Sequence, residues 1–201
     1  RTRSMNAQKI NWRNLAGTEA EIKGVKGLFP DHMVVTGAEA TEARLRELNG
    51  QRELENYRYL LFSAHGYLDT EEPELSALVL GSTGDSTLAD GYVTAADFSG
   101  YRMRSDLLIL SACKTGTGKV IQGEGVMGLP YALYVAGNRS TALTLWDVDD
   151  EATSEFIQKL FAHMKLGKTP SAAMNATKRE FLRFRPHSAP FFWAPFILYG
   201  P

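Results

Sequence analysis

Short apolar bursts punctuate the chain at 33–35, 57–63, 77–80, 106–112, 140–146 and 195–199, each rich in Val, Ile, Leu or aromatic residues. Bounded as they are by polar or glycine-bearing sequence, these bursts predict six β-strands. Between them, segments 18–28, 41–54, 125–136, 150–166 and 170–184 carry helical spacing. Leu45 and Leu48 stand three apart, and Phe156, Leu160 and Met164 four apart, which gives each helix one buried face. Thr41 is placed to cap the second helix, and Thr169-Pro170 to start the last. The bursts at 57–63 and 106–112 are apolar almost throughout. They predict strands buried on both faces, and hence a mainly parallel sheet with helices on either side. The expected fold class is α/β, a three-layer α/β/α sandwich around a mainly parallel central sheet of about six strands.

The segment 81–98 is rich in Gly, Ser, Thr and Asp and reads as a loop excursion, with a hairpin turn at Asp90-Gly91. The ending, 190–201, is too aromatic for a solvated tail, so Trp193 is expected to pack beside the last strand. A length of 201 residues favours one domain. Residues 1–10 are expected to be a linker or a cut edge, and 11–201 a single domain belonging to a larger protein. The basic start lacks an apolar stretch and does not read as a signal peptide. No apolar run reaches the length of a membrane span.

Composition adds mainly exclusions. With 44% hydrophobic residues, 22% charged and a net charge of -1, nothing draws the chain electrostatically to nucleic acid or to an anionic membrane. One cysteine cannot close an internal disulfide, and a reducing, cytoplasmic setting fits best.

That cysteine raises the question of chemistry. The sequences 60-LLFSAHG-66 and 107-LLILSACKTG-116 are both apolar runs closed by a small residue, then His65 or Cys113, then a turn. In a parallel sheet, such ends lie side by side at the carboxyl edge, where ligands bind. A free thiol is only a few per cent thiolate at neutral pH, and a neighbouring imidazole can take its proton or stabilise its anion. Gly66 lets the chain turn sharply and present its N–H, and with the N–H of Cys113 it can hold a developing oxyanion. The 48-residue separation of His65 and Cys113 agrees with the roughly 50 of caspases. Against this stands the plain alternative that Cys113 is a core thiol and His65 a turn residue. The other histidines, His32, His163 and His187, read as structural.

Two further stretches compete. In 116-GTGKVIQGEGVMG-128 a phosphate-binding loop fails, because Cys113 and Val120 stand where Gly and Ser or Thr are needed. Gly123, Gly125 and Gly128 match a dinucleotide fingerprint, with Asp147 19 residues on, but nine residues separate Cys113 from Gly123. In 143-LTLWDVDDEAT-153, Asp149 or Asp150 reads as a helix cap. Asp147, directly after Trp146 at a strand end, can project into the same cleft as His65 and Cys113. The histidines and the single cysteine show no metal-ligand spacing. No metal and no cofactor is expected.

The motifs 17-GTEAEI-22, 36-TGAEAT-41, 63-SAHGYLD-69, 111-SACKTGTG-118, 123-GEGVMGLPYAL-133, 145-LWDVDD-150 and 193-WAPFILYG-200, in this order from Ala16 to Gly200, resemble the CHAT family. These are caspase-like domains, often attached to tetratricopeptide repeats and related to caspases and separases. The resemblance implies a caspase-like fold and a cysteine endopeptidase, with His65 as acid/base, Cys113 as nucleophile, and N–H groups of Gly66 and Cys113 as the oxyanion site. Separases carry an acidic residue after the corresponding Trp and prefer Arg, so Asp147 is expected to select a basic residue before the cleaved bond. The expected partners are a protein or peptide substrate and a regulatory repeat domain or activator acting through loops 81–98 and 114–124. A catalytically silent peptide-binding module is the main alternative.

Overall fold

The computed structural model describes residues 12, 15, 17–67, 69, 72–82, 90–111, 128–183 and 185–201. Its central sheet has four strands in the order β1, β5, β6, β7: Tyr59–Ser63, Leu107–Ser111, Thr141–Thr144 and Phe196–Tyr199. The first three run parallel and β7 is antiparallel to β6. Between β1 and β5 the register runs from Tyr59 opposite Leu107 to Ser63 opposite Ser111.

Alternation across β5 explains the layers, since successive side chains of a strand face opposite ways. Leu108 and Leu110 pack with Leu45 and Leu48 of α2 (Glu42–Gly50), Phe98 of α3 (Ala95–Phe98) and Leu133 of α4 (Gly128–Val135). Leu107 and Ile109 face α5 (Asp150–Lys165) and α6 (Pro170–Arg183), meeting Phe156, Leu160 and Phe181, while Val25 of α1 (Gly17–Lys26) packs against the same core. Each fully buried Leu or Phe contributes about 1.5–3 kcal/mol. Phe156 stacks on Phe196 with ring centroids 3.8 Å apart, joining α5 to β7. Trp193, in the short α7 (Pro190–Trp193), packs against this second core as expected and donates to the Ser188 carbonyl at 3.0 Å.

The sheet is smaller than the six strands expected, for two reasons. Residues 33–35 form no strand; their stretch borders a cavity of about 750 Å³ along the open edge of β1, with Leu28, Phe29, Leu60 and Phe62. The burst at 77–80 belongs to a second, antiparallel sheet of three strands, β2 (His65–Tyr67), β3 (Ala77–Val79) and β4 (Tyr92–Thr94). Segment 81–98 is therefore not wholly a loop, since it ends in β4 and α3. Gly91 has φ +93°, and a Cβ there would meet the Leu80 carbonyl oxygen at 2.7 Å, so this turn admits only glycine. Of the two strands expected to be buried on both faces, β5 is, but β1 is only half-buried because it lies at the sheet's edge.

The helix starts follow their caps. Thr41 accepts from the Arg44 N–H at 3.1 Å, Asp149 from Ala152 at 2.9 Å, and Thr169 from Ala172 at 3.3 Å. Among the described residues, no helix is long and apolar enough to cross a membrane.

Candidate functional site

Three neighbouring parallel strands, β1, β5 and β6, end at one edge of the central sheet. The last rung between the first two is Ser63 opposite Ser111, and the Ala64 N–H continues it to the Ser111 carbonyl at 3.3 Å. His65 and Cys113 each follow this rung by two residues in sequence. Cys113, like all of 112–127, lies outside the described residues, as do Gly123 and Gly125 of the dinucleotide reading.

His65 opens β2, opposite Val79, where the chain has left the central sheet. Gly66 is the middle residue of that strand, opposite Leu78, so the sharp turn expected at Gly66 is absent. The change of direction comes instead at Ala64, between the two sheets. The His65 ring is half-buried against Trp12, with centroids 4.9 Å apart and planes inclined by 36°. Trp12 is itself anchored by its indole N–H, which donates to the Tyr92 hydroxyl at 2.9 Å, and Tyr92 meets Tyr67 edge-on. An imidazole packed against an anchored aromatic ring keeps its orientation at low entropic cost, which suits a proton-transfer group.

Asp147 sits beyond β6, three residues after Thr144, in the stretch that leads to the Asp149 cap of α5. It is exposed, and among the described residues no ion pair engages it. Beside it, Trp146 is held by donation from its indole N–H to the Phe191 carbonyl at 3.1 Å, and Leu145, Trp146 and Phe191 form an exposed apolar flank. A carboxylate next to such a flank can bind a cation whose stem is apolar, as in Lys and Arg.

The remaining histidines have structural partners. His32 contacts the Phe29 carbonyl, His163 bridges to Glu180 at 2.7 Å, and His187 to Glu155 at 3.0 Å. Among the described residues, no group of three or more His, Cys, Asp or Glu is arranged to hold a metal ion.

Besides Trp12, one residue of the edge escaped the sequence reading. Glu21, on α1, is 3% exposed, and its Oε2 accepts from the Ser111 hydroxyl at 2.9 Å, with the Ser63 hydroxyl also close to the carboxylate. Burial pushes its pKa up from the ordinary 4.5 to about 7; the two hydroxyls oppose the rise, and the charge of Asp150 adds to it. The available signal was its place on the apolar face of α1, four and seven residues before Val25 and Leu28. Helix α1 reaches the edge because Gly17 comes close to α5: its N–H donates to Asp150 at 2.9 Å, and a Cβ at Gly17 would overlap the Asp150 side chain.

Comparison with known proteins agrees with this architecture. The chain is 28% identical over 108 residues to tetratricopeptide repeat protein 28 of Mus musculus and 29% identical over 108 residues to that of Homo sapiens. Each match covers 54% of this chain, and the chain spans only 4% of the length of these relatives. The family model of the CHAT domain matches residues 2–201. With that match over almost its whole length, the chain belongs to the CHAT family, a caspase-like peptidase family.

Proposed function

We propose that the protein is a cysteine endopeptidase that cuts a protein substrate after a basic residue, with His65 and Cys113 as its dyad and Asp147 as its specificity residue. The observation that carries this reading is the shared rung: β1 and β5 end together at Ser63 and Ser111, and each strand is followed two residues later by one member of the pair. Two residues of chain reach about 7 Å at most, which supports a pairing of Cys113 with His65 at this edge. Membership in a caspase-like family supports the same assignment.

The reaction would be acyl transfer. Cys113 gives its proton to His65, and its sulfur attacks the scissile carbonyl carbon, forming a C–S bond while N–H groups of Gly66 and Cys113 hold the oxyanion. As the C–N bond breaks, the imidazolium protonates the leaving amine. Water, deprotonated by His65, then hydrolyses the thioester and restores the thiol. Asp147, following the neighbouring strand β6, would receive the Arg or Lys side chain preceding the cleaved bond, its stem along Trp146 and Leu145. Relatives named for tetratricopeptide repeats support the further reading that an attached repeat domain regulates this activity.

The test is cleavage of a peptide library by the purified chain beside Cys113→Ala and His65→Ala, with products located by mass spectrometry. Cleavage after Arg or Lys by the parent alone is the expected result. Peptide binding without cleavage by all three proteins would replace the peptidase with a binding module.

A further inference from the structure

The amino ends of the same strands, roughly 16 Å from the carboxyl edge by the length of β1, are set with arginines. Arg58 precedes β1, Arg102 and Arg104 precede β5, Arg139 precedes β6, and Arg52 comes from the turn after α2. Two carboxylates hold them: Asp106 pairs with both Arg58 and Arg139, and Glu55 with Arg52 at 2.8 Å and Arg104 at 3.3 Å. Arg102, fixed through its own N–H to Asn49 at 2.8 Å, adds its charge near Glu55. The two groups share their backbone. The Asp106 N–H donates to the Arg58 carbonyl at 2.8 Å and the Arg139 N–H to the Ser105 carbonyl at 2.9 Å, so adjacent strand ends set the arginines in one row.

In this cluster the anions are shielded and the cations face outward. The side chains of Glu55 and Asp106 are 11% and 24% exposed, whereas those of Arg52, Arg58, Arg104 and Arg139 are 60–75% exposed. A guanidinium carries five N–H donors in a fixed fork, and each of these spends only part of them on its carboxylate. Held in place in this way, the forks lose less freedom when a further anion arrives. Exposed ion pairs contribute little to stability, so bracing the fold does not account for the cluster. Even with Glu53, which is engaged by Asn56 at 3.0 Å, five guanidinium groups leave the patch net positive on a chain whose net charge is -1. The rest of the surface is therefore negative overall and opposes a long polyanion, whereas a short acidic segment meets the patch alone.

We propose that this end of the sheet is a docking surface for an acidic protein segment, whose Asp and Glu side chains pair with the exposed guanidinium groups. A carboxylate suits the fork because it accepts two parallel N–H bonds, and Arg52 already holds Glu55 in this way, through Nε at 2.8 Å and Nη2 at 3.1 Å. Arg58 and Arg139 stand at the ends of β1 and β6 with β5 between them, roughly 10 Å apart at their backbones. One extended segment crossing the strand ends meets both, since its like-facing side chains recur about every 7 Å. A partner seated here leaves the carboxyl edge open, and the surface serves whether or not the chain is a peptidase.

The probe is a fluorescein-labelled peptide of alternating Glu and Ser, titrated with the chain and read by fluorescence anisotropy. The same peptide with Lys in place of Glu, and a single-stranded oligouridylate, are titrated beside it. The Glu peptide is expected to bind at about 50 mM NaCl and to weaken roughly tenfold by about 300 mM, and the Lys peptide not to bind. Arg58→Gln combined with Arg139→Gln is expected to weaken binding about fivefold, and Arg52→Gln combined with Arg104→Gln likewise. Arg44→Gln, which removes an exposed arginine of α2 outside the patch, is expected to leave it unchanged. Either double variant decides if the other does not fold. No saturable binding of the Glu peptide, an affinity unchanged in the double variants, an equal loss in Arg44→Gln, or tighter binding of the oligouridylate would overturn the proposal.

Discussion

Replacing Glu21 by Gln is expected to make the fold's stability less dependent on pH, with a sign opposite to that of most carboxylates. A salt-bridged carboxylate usually has its pKa lowered by folding and loses its contribution in acid. Glu21 goes the other way, because burial raises it from 4.5 in the open chain to about 7 in the fold. Between these values the unfolded chain has released the proton while the folded chain still holds it, so stability falls as pH rises and the loss is complete above about 7. The whole effect is about 3 kcal/mol, most of which falls between pH 5 and pH 8. Urea unfolding of parent and variant at both pH values measures it, since the other titrating groups are common to the two proteins and cancel in the comparison. The variant should gain about 2–3 kcal/mol relative to the parent on going from pH 5 to 8, or roughly 5–10 °C in Tm for a chain of this size. Parallel stability curves across that range would refute the burial argument.

Other outcomes follow from the same geometry. Asp147→Ala should erase the preference for Arg or Lys over neutral residues, cutting the ratio of kcat/KM values by at least about tenfold; equal cleavage after neutral residues by the parent would remove Asp147 from the site. Asp149→Ala, two residues on, should cost about 1 kcal/mol through the lost cap of α5, seen as a fall of about 2–4 °C in Tm, with selectivity unchanged. Phe156→Ala, which empties the position stacked on Phe196, should cost about 3–5 kcal/mol in denaturant unfolding.

Periodicity and capping act over a few residues and were readable from the chain alone: the five longer helices, the parallel pair 57–63 and 106–112, and the caps Thr41 and Asp149 needed no partner to be recognised. The resemblance to the CHAT family was likewise carried by local motifs. What no local pattern contains is which segments share a sheet. The burst at 33–35 has strand composition but makes no ladder, and 77–79 joins a small sheet with 65–67 and 92–94, two strands of three residues too short to show a period. Gly66 looked like a turn because glycine permits one, yet pairing with Leu78 holds it extended.

The edge itself divides in the same way. His65, Cys113 and Asp147 could be named because each ends a recognisable apolar run, and parallel strands bring such ends together. Glu21 and Trp12 could not, since they come from elsewhere in the chain and touch the edge only through packing. A sequence states the charge of a carboxyl in water; the value of about 7 for Glu21 exists only once α1, β1 and β5 have closed around it and excluded that water.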